Sequence, residues 1–179
     1  MEKNMITTMQ ELKIYKKKYN FFPTPAPIAK MMAELVNDIG RDALMLEPSA
    51  GTGTLIEAIK KECKFTPQID FCEIQDELAN RIVNHKRVGS DFLEYNPGQI
   101  YNAVVMNPPY KNGNALTHVN HAWDCTKPGG KIVALVDETT AYKIDEEFSG
   151  FVFERELIKK GFQETAISVV CFLISKPLY

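Results

Sequence analysis

Leu44-Met45-Leu46-Glu47-Pro48-Ser49-Ala50-Gly51-Thr52-Gly53-Thr54 passes from a short apolar run through a glycine-containing loop, after which Leu55-Ile56-Glu57-Ala58-Ile59 takes up a helical pattern. Strand, glycine loop and helix in this order form a ligand-binding arrangement. The glycines admit close backbone approach, and the start of the helix presents unpaired N–H groups. Glu73 stands twenty residues after Gly53, at the end of the strand-like Ile69-Asp70-Phe71-Cys72. An acidic residue so placed commonly accepts the hydroxyls of a ribose. The loop lacks the third glycine of the dinucleotide fingerprint and the Gly-Lys-Ser/Thr ending of a P-loop, so pyrophosphate is not the expected ligand.

Further along, the apolar run Ala103-Val104-Val105-Met106 ends in Asn107-Pro108-Pro109-Tyr110. Each proline locks its own φ and holds the preceding residue extended, so Asn107 and Pro108 are both extended. A strand ending this way can aim two acceptors, the Asn107 side-chain oxygen and the Pro108 carbonyl, at one external NH2 group. Tyr110 offers a flat face beside them. Such a site suits an amino group attached to a planar system.

Around these two motifs the chain alternates helix and strand. Apolar periodicity places helices at 28–36, 54–63, 77–84, near 115–126 and near 150–160. It places strands at 43–47, 69–74, near Val88, at 101–106, at 131–136 after a Pro128-Gly129-Gly130 turn, and near 166–174. The alternation implies an α/β fold with a mostly parallel sheet of six or seven strands, helices on both faces, and ligands at the carboxyl ends of the strands.

Together these pieces resemble the class I S-adenosylmethionine-dependent methyltransferases with their Rossmann-like fold, and within them the adenine-N6 amino methyltransferases that act on DNA. Phe22-Pro23-Thr24-Pro25, Glu47 to Gly53, Glu73, Ser90-Asp91-Phe92-Leu93 and Asn107-Pro108-Pro109-Tyr110 stand in the order of the subgroup whose cofactor motifs precede the catalytic one. The match runs from about residue 20 to the end, and the His-containing segment after the tetrapeptide is similar to that of small stand-alone enzymes of phages and mobile elements. The resemblance implies S-adenosylmethionine as cofactor, held by Phe22, Thr24, Glu47, Pro48, Ser49, Ala50, Gly51, Gly53, Glu73, Ile74, Asp91, Phe92 and Asn107. In it Glu47 lies near the methionyl moiety, Thr24 at its methionine end, Asp91 on the adenine amino group and Phe92 on the ring. Asn107, Pro108, Pro109 and Tyr110 become the catalytic residues, with Tyr110 stacked on a base that has left the duplex. Thr24 is also explained as a plain helix N-cap, and Asp91 and Phe92 as a turn aspartate and a core aromatic.

Composition bounds the rest. With 179 residues, 45% of them hydrophobic, the chain is expected to be one domain at 1–179, with 1–22 a basic helical extension and no separate target-recognition domain. No run approaches a membrane span and the N-terminus has no apolar signal region, so a cytoplasmic protein without membrane partners is expected. Cys63, Cys72, Cys125 and Cys171 are widely spaced, which favours buried free thiols over a disulfide or zinc framework. His118 and His121 sit three apart on one helical face, but no third ligand with suitable spacing accompanies them, so no metal is expected.

The substrate is less sharply drawn. Residues 1–30 carry an excess of four positive charges with Tyr15, Tyr19, Phe21 and Phe22 interleaved, a mixture that suits a nucleic-acid backbone and stacked bases, or equally a solvated amphipathic helix. Residues 137–150 carry an excess of four negative charges, and the whole chain is at −2, without the strongly basic signature of an autonomous DNA binder. Either sequence specificity is low, or it is expected to come from a homodimer or a separate recognition subunit. Two other activities stay open: methylation of a glutamine side chain, as in the release-factor enzymes that also use Asn-Pro-Pro-Tyr, and a cofactor-binding interaction module without transfer.

Overall fold

The computed structural model describes residues 22–110, 114–159 and 168–179. The basic extension expected at 1–22 lies, but for Phe22, outside the described residues. In chain order the elements are α1 (Ala26–Glu34), β1 (Leu44–Glu47), α2 (Thr54–Glu62), β2 (Gln68–Cys72), α3 (Asp76–Ala79), β3 (Lys86–Gly89), a 3-10 turn (Phe92–Glu94), β4 (Tyr101–Met106), α4 (Asn114–Cys125), β5 (Thr126–Asp137), α5 (Glu138–Glu147), β6 (Val152–Ile158) and β7 (Val169–Ser175).

The strands form one seven-stranded sheet in the order β3-β2-β1-β4-β5-β7-β6, which settles the six-or-seven alternative. The strands β1 to β5 run parallel, β7 pairs antiparallel with β5, and β6 pairs antiparallel with β7. The chain steps outward from β1 to β2 and β3, then returns to place β4 on the other side of β1. Between β1 and β4 the crossovers diverge, and a crevice opens there at the carboxyl ends.

Central strands are apolar on both faces because helices cover both. In β4, Ala103 and Val105 join one core with Met45, Ile69, Ile28 and Met32 of α1, and Leu55, Ile56 and Ile59 of α2. Val104 and Met106 join the opposite core with Leu46, Ile132, Ala134, Ala115, Val119 and Ala122 of α4, and Ile144 of α5. A continuous apolar run is the mark of a strand buried on both sides. Burying each such Val or Met contributes about 1.5–3 kcal/mol. All four cysteines are buried free thiols, and among the described residues no helix is long and apolar enough to cross a membrane.

Four sequence expectations change. The helix placed near 150–160 is strand β6, which takes its extended form by pairing antiparallel with β7 at the edge of the sheet. A helix instead occupies 138–147, started by Asp137, whose carboxylate accepts from the Thr140 N–H at 3.0 Å and the Thr140 hydroxyl at 2.7 Å. The helix expected at 77–84 is the single turn α3. Pro128-Gly129-Gly130 lies inside the long strand β5, as an irregularity where the register jumps from Tyr101↔Thr126 to Ala103↔Lys131. Gly129 has a φ of 75°, and a Cβ on Gly130 would come within 2.9 Å of the Asn102 carbonyl.

The sheet also buries a polar relay. Tyr101 donates to Asp70 Oδ2 at 3.0 Å, and its own oxygen lies 2.8 Å from the Tyr95 hydroxyl. Tyr101→Phe removes the donor to a buried carboxylate and is expected to cost about 1–3 kcal/mol. Tyr95→Phe leaves that bond in place and is expected to cost less; urea midpoints of the two variants check the order.

Candidate active site

The crevice is a cavity of about 250 Å³ at the carboxyl ends of β1, β2 and β4. Its walls include Phe22, Thr24, Glu47, Pro48, Ser49, Ala50, Glu73, Ile74, Asp91, Phe92 and the whole of Asn107 to Tyr110. Every residue singled out from the sequence therefore meets in one place, apart from Gly51 and Gly53. Those two form the loop behind the wall, with φ of 53° and 80°, values that L side chains adopt at a cost.

The loop is held by Glu73. One of its carboxylate oxygens accepts the Gly51 N–H at 2.7 Å, the other accepts the Gln75 N–H at 2.8 Å, and Arg87 donates to its backbone carbonyl at 2.7 Å. The Ala50 N–H bonds the Cys72 carbonyl at 3.0 Å, so the loop leaving β1 is stitched to the end of β2. Gly53 then starts α2 in a left-handed conformation. A carboxylate has about four acceptor positions, so the two backbone bonds do not exhaust Glu73.

Glu47, the last residue of β1, is 1% exposed. One oxygen accepts from the Ser49 N–H at 3.2 Å. Burial pushes its carboxyl up to about 8; the Ser49 bond opposes this and neighbouring Glu73 adds to it. Burial also raises Glu73, against the Gln75 and Gly51 N–H groups and Arg87. At neutral pH this wall carries less negative charge than its two acids suggest, and an arriving cation favours ionisation of Glu47.

At the end of β4, Asn107 is a junction. Its Nδ2 donates to the Phe22 carbonyl and to Thr24 Oγ1, each at 3.1 Å, and its Oδ1 accepts from the Tyr110 hydroxyl at 2.5 Å. Two expectations are refined by this. The Asn107 oxygen does not simply face outward, because Tyr110 engages it; and Tyr110 brings a donor as well as a flat face. Burial raises the Tyr110 phenol, with Asp137 and Cys171 adding to it, so it stays a neutral donor. Thr24 is not the helix cap either: Pro25 holds that position, and the Thr24 hydroxyl serves Asn107.

Asp91 caps the 3-10 turn through the Leu93 N–H at 2.9 Å and still borders the cavity. Phe92 also reaches the wall but is 2% exposed, its ring packed on His121 at 4.6 Å and His118 at 5.7 Å. His118, in which the sequence shows only half of a metal pair, lines the cavity together with Asn114 and Gln75. Its Nδ1 lies 2.8 Å from the Asn114 carbonyl, which can only accept, so Nδ1 carries the proton. Burial holds the ring below the ordinary imidazole range, against that bond and Asp91, leaving it neutral at pH 7. The i, i+4 spacing of Asn114 and His118, directly after the tetrapeptide, was the available signal. Among the described residues no group of three or more His, Cys, Asp and Glu could hold a metal ion.

No protein-family model matches the chain, and no curated protein matches it. Solved structures do. A candidate class I S-adenosylmethionine-dependent methyltransferase from Listeria monocytogenes shares 15% identity at a TM-score of 0.68, over 94% of this chain and 66% of that one. The type I restriction-modification methyltransferase subunit from Streptococcus thermophilus shares 16% at 0.70, over 87% and 44%. The 23S rRNA methyltransferase ErmE shares 19% at 0.62, over 89% and 72%. The chain thus spans just under two thirds of the first and less than half of the second. At these identities the likeness is one of fold: the Rossmann-like α/β fold of class I methyltransferases.

The state of Glu47 gives a testable pH dependence. In the unfolded chain it ionises near 4.5, in the folded chain near 8. The penalty for burying it is absent below 4.5, grows as pH rises to 8, and is constant above, at about 1.4 kcal/mol per unit of displacement. Glu47→Gln keeps the acceptor for Ser49 and removes the penalty. The variant is expected to melt several degrees above wild type at pH 8 and close to it at pH 5, as calorimetric scans at both pH values would show.

Proposed function

We propose that this chain transfers a methyl group from S-adenosylmethionine to the exocyclic N6 amine of adenine in nucleic acid, DNA in preference to RNA. The observation that carries the reading is that Asn107, Pro108 and Tyr110 open into the same cavity as the glycine loop, Glu47 and Glu73. An amine acceptor site and a cofactor site share one wall.

The residues fit the cofactor. Its cationic sulfonium and ammonium suit Glu47, which ionises readily beside a positive charge. Its ribose suits the remaining acceptor positions of Glu73, and its adenine suits Ile74, Asp91 and Phe92. Gln75 borders the same cavity, and its buried Oε1 has no hydrogen-bond partner among the described residues. An acceptor left so is costly unless a ligand donor meets it. When bound, S-adenosylmethionine supplies an electrophilic methyl group; the chain's own residues do the rest.

The adenine amine is a weak nucleophile because its lone pair is delocalised into the ring. Asn107 Oδ1 and the Pro108 carbonyl, accepting its two N–H bonds, favour a pyramidal nitrogen and stabilise the positive charge that develops on it. Preorganised polar partners of this kind are worth about 3–4 kcal/mol each. The two prolines fix the direction of the acceptors before the substrate arrives, which is a positioning effect. Tyr110 releases Oδ1 to the incoming amine and presents its ring to the base, which must leave a duplex to be reached.

The structural neighbours include enzymes named for restriction-modification and for 23S rRNA, which supports a nucleic-acid substrate; the order of motifs favours DNA. We assign sequence choice to a partner subunit or second copy of the chain. The α5 segment carries Glu138, Asp145, Glu146 and Glu147 against Lys143, a surface that does not attract phosphates.

Incubation with isotopically labelled S-adenosylmethionine and DNA, RNA or protein, followed by mass spectrometry of nucleosides and amino acids, is the direct test. Labelled N6-methyladenine is expected; labelled glutamine would replace this reading with the protein-directed one, and cofactor binding without any labelled product would leave a binding module. Asn107→Ala is expected to lower transfer about a hundredfold or more, with a smaller loss of cofactor affinity because Phe22 and Thr24 lose their anchor. Tyr110→Phe is expected to lower KM for the nucleic acid, since the competing hydroxyl is gone, whereas Tyr110→Ala raises it by removing the ring. Steady-state kinetics of the three variants check this order.

A further inference from the structure

We propose that Thr24 is a positioning residue: its hydroxyl and the Phe22 carbonyl fix which end of the Asn107 amide faces the substrate, and so require a hydrogen-bond donor of the group that binds there. The inference rests on the reading of the cavity as an amine-methylating site and assigns a determinant within it.

A side-chain amide is nearly symmetric in shape and opposite in chemistry at its two ends. Turned by half a rotation, Asn107 would present NH2 to the substrate amine, donor against donor, and the acceptor needed in the transition state would be lost. The Phe22 carbonyl settles the orientation because it can only accept, so the atom 3.1 Å away must be Nδ2. Thr24 Oγ1, also at 3.1 Å, takes the second N–H. Both donors of the amide are then consumed by Phe22 and Thr24, and Oδ1 remains to receive Tyr110 or an incoming amine.

Thr24 is well placed for a fixed contact. It is 8% exposed, and it stands between Pro23 and Pro25, whose rings restrict the backbone on either side. Its hydroxyl is not spent on the helix, since α1 has no side-chain cap. Phe22 and Thr24 are 85 and 83 residues from Asn107 in sequence, so the segment before α1 decides the chemistry presented at the end of β4.

The test compares Thr24→Val, which keeps the branched shape and removes the hydroxyl, with Thr24→Ser, which keeps the hydroxyl. Binding of S-adenosylhomocysteine reports on the cofactor side, and hydrogen exchange of the Asn107 side-chain amide reports on its orientation. That NMR signal is identified by its loss in Asn107→Ala. Thr24→Val is expected to lower kcat about tenfold or more, the scale of misaligning one catalytic partner, and to speed amide exchange by a similar factor. Any loss of affinity for S-adenosylhomocysteine should be smaller than the loss in kcat, and Thr24→Ser should recover both kcat and amide exchange. Should Val disturb folding by circular dichroism, Thr24→Ala carries the same comparison.

Unchanged exchange and kcat in Thr24→Val would overturn the proposal, as would a Ser variant as damaged as the Val variant, or a loss confined to cofactor affinity. If wild-type protein methylates no acceptor, the proposed activity fails. Amide exchange in Thr24→Val against Thr24→Ser still decides whether Thr24 orients Asn107.

Discussion

The carboxylate of Glu73 is the constraint on which the cavity depends. It fastens the glycine loop leaving β1 to the turn leaving β2, taking the Gly51 N–H on one oxygen and the Gln75 N–H on the other. Each of these backbone donors would cost about 1–3 kcal/mol if buried without a partner. With the loop so fixed, α2 begins at a defined point and the wall from Pro48 to Ala50 stands opposite Ile74 and Gln75. Arg87 steadies the arrangement from outside, bonding the Glu73 carbonyl at 2.7 Å and pairing with Asp76 at 2.7 Å. Glu73 is thus a structural tie first, and its remaining acceptor positions face a cavity that the tie itself has shaped.

The same economy holds across the site. Glu47 is met by Ser49, Asp91 by Leu93, and the Asn107 oxygen by Tyr110. These three side-chain acceptors each have a donor from the chain, so the two carboxylates are not bare charges in the cavity wall. A ligand must therefore add to these bonds or exchange with them. Exchange is close to neutral in energy when one good hydrogen bond replaces another, whereas a ligand without the donor leaves the acceptor unpaired. Gln75 Oε1 is the exception, a buried acceptor with no partner among the described residues.

Much of this was legible in the sequence because its cause is local. The glycine loop, the double proline after β4 and the apolar runs of β1 and β4 impose their geometry on their own neighbourhoods, and all of them fell where the residues placed them. The misread stretches depend on partners remote in sequence. Residues 152–158 become a strand through pairing with β7, and the charged 138–147 becomes a helix whose buried face, Thr140, Ala141 and Ile144, is narrow. Pro128-Gly129-Gly130 reads as a turn by composition and is indeed unpaired with β4, but Gly129 and Gly130 bond the backbone of Lys176, just beyond β7, and so stay in line with the strand. In the site, Gln75 carries no local mark of a cavity wall, and the spacing of His118 from Asn114, its one signal, is shared with ordinary helix packing. The bond from Asn107 to Thr24 could not be seen at all, since nothing local links residues 83 positions apart.

That long-range bond couples the two halves of the cavity. Phe22 and Thr24 line it on one side and hold Asn107, which with Tyr110 forms the other. A ligand that orders the segment before α1 also orders the amide, and a substrate that draws on Oδ1 steadies the amide against its anchors. Because binding free energies are linked, whatever one ligand gains from this ordering the other gains as well. The coupling needs no domain motion: three hydrogen bonds on one side chain suffice, since the Asn107 amide has only two orientations and a single one satisfies both the Phe22 carbonyl and an incoming N–H.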